Sequence, residues 1–114
     1  MIADEFRKLA LALPQVEEGR HQGHADFRVG GKIFATLGPD EDWGMIKLPP
    51  EQQEEYVETE AGTFEPFPGA WGRQGCTKVH LAGAHGPSVR QALVSAWIAR
   101  APKRLARQYD EETL

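Results

Sequence analysis

Phe27-Arg28-Val29-Gly30-Gly31-Lys32-Ile33-Phe34-Ala35-Thr36-Leu37 is the stretch whose reading decides the fold. Phe27 and Val29 alternate with Arg28, the period of a strand with one buried face. Gly30 and Gly31 accept positive φ without cost, as a tight hairpin turn demands. The return strand covers residues 32–37. Its Ile33, Ala35 and Leu37 share one face, and Phe34 and Thr36 the other, which predicts a strand partly covered on both sides.

Beyond this hairpin, residues 38–42 (GPDED) read as a turn. Residues 43–48 form a third strand, closed by Pro49 and Pro50. Pro50 suits a first helical turn and Glu51 the positive end of a helix, so a helix is predicted to about Glu60. Residues 63–75 read as irregular chain. Their aromatics Phe64, Phe67 and Trp71 are expected to cap the core. Residues 76–81 alternate again, with Thr77, Val79 and Leu81 inward and Cys76, Lys78 and His80 outward. Val89, Ala92, Leu93, Ala96 and Trp97 repeat at three and four residues, one face of a helix beginning at Pro87 or Ser88. Pro102 breaks it, and residues 103–110 add a turn or two with Leu105 and Tyr109 inward.

On the other side of the hairpin, Ile2, Phe6, Leu9, Ala10 and Leu13 make a helical stripe that Pro14 ends. The polar run QVEEGRHQGH that follows reads as a loop. With no repeat and no internal linker, residues 1–114 are expected to be a single α+β domain.

Composition agrees. The 114 residues are 40% hydrophobic and 26% charged, ordinary for a globular fold and unlike a disordered chain. No run approaches the roughly 18 apolar residues of a membrane span. The N-terminus carries Asp4 and Glu5 and lacks the basic start of a secretory signal. Cys76 is the only cysteine, so a reducing cytoplasm is the expected compartment. The net charge of -4 is uneven: residues 1–60 hold 13 acids and 6 bases, residues 61–114 hold 4 and 7.

Several pieces together resemble the MmcQ/YjbR family of small bacterial proteins. They are the N-terminal LALP, then DFRVGGKIFATL, MIKLP, FEPFPGAWGRQGCTKVHLAG and the closing APKRLARQYD. Their order and spacing carry the resemblance, which spans most of the chain. It implies a frataxin/CyaY-like fold, a single antiparallel sheet with helices packed on one face. It also implies DNA binding, through two hairpins that project as a double wing. Members usually carry a tryptophan just before the strand matched by TKVHL. Cys76 stands there in this chain, and Trp71 is expected to fill the space.

Phosphate contact needs cations, and the wings would supply Arg28, Lys32, Lys47, Arg73 and Lys78. Lys32 and Lys47 match positions that the family pattern fills with lysine. A second basic group, Arg100, Lys103, Arg104 and Arg107, is more economically explained as a complement to helix dipoles. The acids of residues 51–60 read as a solvated face.

No catalytic or metal constellation is expected. Cys76 and His80 lie on one strand face about 13 Å apart, too far to share an ion or a proton. Ser88 and Ser95 lack evident histidine–carboxylate partners, and no phosphate-cradling glycine motif occurs. The sequence reading is therefore a non-enzymatic DNA-binding protein, monomeric or weakly dimeric, without cofactor or membrane. The alternative is a protein-interaction or small-ligand module using Phe64 to Trp71.

Overall fold

The β2–β3 hairpin forms where expected, from His24–Val29 (β2) and Lys32–Leu37 (β3). Gly30 and Gly31 turn it at φ 58° and 78°, as a two-residue turn of this hand requires. The computed structural model describes residues 1–113, with side chains through Tyr109. Around the hairpin stand α1 (Ala3–Leu11), β1 (Glu17–His21), β4 (Trp43–Lys47), α2 (Pro50–Thr59) and β5 (Phe64–Pro66). Then follow α3 (Gly69–Arg73), β6 (Cys76–His80), α4 (Gly86–Arg100) and α5 (Lys103–Thr113). The six strands make one antiparallel sheet in the order β1-β2-β3-β4-β6-β5.

Three departures from the sequence reading have clear causes. The polar run expected to be a loop contains β1, paired with β2 from Glu17–Arg28 to His21–His24. It is an outer strand held by backbone hydrogen bonds, so it needs no apolar alternation. The irregular stretch 63–75 contains β5 and α3, of three and five residues; neither is long enough to show a period. Finally, β3 is buried on both faces from residue 34 to 37, as expected, but its residues do not sort onto those faces by simple alternation. Its pairing steps from Phe27–Ala35 to Arg28–Ile33, so Phe34 is an extra residue in a bulge. Phe34 turns into the core at 0% exposure while Ile33 moves to the side of Arg28.

The core lies between one sheet face and the helices. Phe27, Ala35, Leu37, Ile46, Phe64 and Val79 are wholly buried there with Phe6 of α1. Every position of the expected α4 stripe is buried. The Trp97 indole donates to the Pro14 carbonyl at 3.1 Å, and Tyr109 of α5 lies against its ring at 5.1 Å between centroids. On α2, the Tyr56 ring meets Phe64 at 4.9 Å. Beside it, buried Gln53 donates to the Cys76 carbonyl at 3.2 Å and the Thr77 hydroxyl at 3.0 Å. Helices α1, α2 and α4 thus share one face of the sheet. No helix of the described residues is long and apolar enough to cross a membrane.

Candidate nucleic-acid interface

The opposite face follows from strand register. Directly paired residues point the same way, so Asp26, Thr36, Met45, Lys78 and Glu65 form one row across five strands. Trp43 with His80, Lys47 with Cys76, and Arg28 with Ile33 form further pairs on this side. These side chains range from buried to exposed.

At the β1–β2 end the face is organised by a carboxylate at 0% exposure. Arg28 donates from Nε to Asp26 Oδ1 at 2.9 Å and from Nη2 to Oδ2 at 3.2 Å. His21 Nδ1 lies 2.7 Å from the same Oδ2, within hydrogen-bond distance. The Arg28 hydrogen bonds are the main reason the Asp26 carboxyl is held below the usual range. Burial opposes them, and His21 adds to the lowering. Gly19 leaves the room, because a Cβ there would come within 2.9 Å of Asp26 Oδ1. The His21 and His24 rings meet edge to face at 4.5 Å, and His24 Nδ1 is buried without a hydrogen-bond partner.

At the β4–β6 end the organisation is aromatic and cationic. Lys78 Nζ sits 4.9 Å from the Trp43 ring centroid, a cation–π contact. Phe67 meets the same indole edge-on at 5.8 Å. His80 Nε2 and Glu65 Oε1 are 2.9 Å apart. Lys47 is half-buried beside Cys76. Burial pushes the Cys76 thiol up, against weaker opposing pulls from Lys47 and Arg100, which leaves it a packing group more than a nucleophile.

Of the five cations expected to touch DNA, three share this face: Arg28, Lys47 and Lys78. Arg28 is already paired to Asp26. Lys32 is exposed next to the β2–β3 turn, opposite Val29. That turn rests on the chain where α4 gives way to α5, since a Cβ on Gly30 would stand 3.0 Å from Pro102. Arg73 is exposed on α3. Trp71 does not fill space before β6: it is 66% exposed. The room is taken by backbone, because Gly75 packs directly on the Leu48 carbonyl.

Sequence reasoning missed the Asp26–Arg28–His21 network and the use of Trp43 as a seat for Lys78. The only available signal was alternation, which correctly turned Arg28 and Lys78 outward. Among the described residues, no group of three or more histidine, cysteine, aspartate or glutamate side chains is arranged to hold a metal ion.

The fold has a counterpart in a crystal structure of Deinococcus radiodurans protein DR2400, described as a DUF419 domain. The two superpose with a TM-score of 0.73 over 86% of this chain and 77% of that one, at 19% identity. No curated protein matches the chain. The YjbR family profile matches residues 11–101, from the end of α1 to the end of α4. That match covers the whole sheet and both ends of its uncovered face, and the chain belongs to the YjbR family.

Proposed function

We propose that the protein binds DNA on the uncovered face of its sheet, by phosphate contact and without catalysing a reaction. The observation that supports this best is the meeting of Lys47 and Lys78 on that face, with Trp43 and Phe67 as an aromatic floor. Lysines fix a strand by electrostatics, while aromatic surface offers bases a place to rest. Arg73, exposed on α3, extends the positive rim. Lys32 contributes less, because it pairs with core-facing Val29 on the other side of the sheet. Arg28 contributes less, because Asp26 already neutralises it. A buried, unreactive Cys76 fits work in a reducing bacterial cytoplasm.

The test is fluorescence anisotropy with labelled DNA at low and physiological salt. Micromolar binding that weakens steeply with salt is expected. Lys47→Gln with Lys78→Gln should flatten the plot of log K against log salt by about 1.5, near 0.7–0.9 per lost contact. If the double variant bound like the parent at every salt concentration, the lysines would not be the contact surface.

A further inference from the structure

Trp71 is the most exposed large hydrophobic side chain among the described residues, at 66%. Its exposure is not the looseness of a surface turn. Helix α3 is fixed on both sides: Phe67 N–H donates to the Cys76 carbonyl at 3.0 Å, and Leu48 N–H to the Gly75 carbonyl at 2.9 Å. Gly72 is pressed so closely on the Phe67 carbonyl that no side chain fits there. A backbone anchored at Phe67, Gly72 and Gly75 therefore holds an indole out in water, where its apolar surface gains nothing.

Arg73 is two residues further on and also exposed. Lys47 lies at the same end of the sheet, paired with Cys76 just after α3. An uncovered ring on a short helix that also carries Arg73, and that meets the chain next to Lys47 through Gly75 against Leu48, matches a ligand that joins flat π surfaces to a chain of negative charge. An unpaired nucleic-acid strand has both, and base–aromatic stacking is tolerant of sequence. In a duplex the base faces are consumed by their neighbours, so the indole would meet them only after unstacking.

We infer that the strand bound by this protein is single, and that Trp71 stacks on one of its bases while Arg73 and Lys47 hold the adjoining phosphates. This rests on the nucleic-acid reading above and narrows it.

The experiment compares a labelled oligothymidylate, a duplex of equal length and an abasic oligomer against the full chain. The single strand should bind about tenfold or more tighter than the duplex. Trp71→Ala should weaken the single strand by roughly 5- to 100-fold, the range of one lost stack. The same variant should leave duplex and abasic binding within about twofold, and Trp71→Phe should restore most of the loss. Because Trp71 is exposed, the alanine variant should keep the parent's far-UV spectrum. Equal affinity for duplex and single strand, or no effect of Trp71→Ala, would overturn the inference and leave DNA binding standing. Absence of binding to all three at low salt would remove DNA binding itself. A concentration-dependent dimer that dissociates in Trp71→Ala would assign the indole to a second copy and also overturn it.

Discussion

Ala35, Ile46 and Val79 lie at 0% exposure beneath the helices, whereas Thr36, Met45 and Lys78, one residue away on the same three strands, line the opposite face. The covered side is joined by apolar contact, with the Gln53–Thr77 link as its polar tie. The uncovered side is joined by a buried carboxylate at one end and a cation on an indole at the other. One sheet thus separates two tasks. Changes on the covered side should be felt in stability, and changes on the other side increasingly in charge and binding.

The largest effect that would test this division is Trp97→Ala. It empties a site at 0% exposure and removes the contacts to Pro14 and Tyr109. A loss of about 3–5 kcal/mol is expected in urea unfolding. A loss below about 1 kcal/mol would mean that the covered side is not where stability resides.

Asp26→Asn comes next. It keeps the shape but weakens the partner of Arg28, and about 1–3 kcal/mol should be lost. The variant should also steepen the salt dependence of DNA binding by up to about one, because Arg28 is released. Lower stability without altered salt dependence would confine Asp26 to structure.

The same group makes a pH prediction. Its folded-state pKa is depressed, so the unfolded chain takes up the proton first as pH falls. The stability from Asp26 is complete above the ordinary carboxyl range near 4 and is lost below it, down through the folded value. The gap between parent and Asp26→Asn should therefore be constant from pH 7 to about pH 5 and close toward pH 3. A gap that persists there would point to another cause. The smallest expected effect is Lys78→Gln, at most about 1 kcal/mol in stability, measured beside a clear fall in DNA affinity at low salt.

Legibility followed the same division. The β2–β3 hairpin, β6 and α4 could be read because burial on one side writes a period of two or 3.6 into the chain. The strand Glu17–His21 could not, since its exposed side chains need only accept backbone pairing. Nor could the bulge at Phe34, where one inserted residue reverses which neighbour is inward. The cations of the candidate site were legible one at a time. Their partners were not, because Trp43 reaches Lys78 and Phe67 only once residues 35 and 24 positions apart in sequence share a face. Trp71, expected to be packed, is exposed because the nearby glycines let backbone occupy the space intended for it.

The strand order leaves β1 and β5 at the margins of the sheet. The first presents Glu17, Glu18 and Arg20 in five residues, and the second has only three, ending at Pro66. A foreign strand approaching either side meets charge, or a short run that a proline closes. The molecule is thereby guarded against fibrous self-association, and its aromatic surface can stay uncovered at high concentration without a neighbour's strand being recruited beside it.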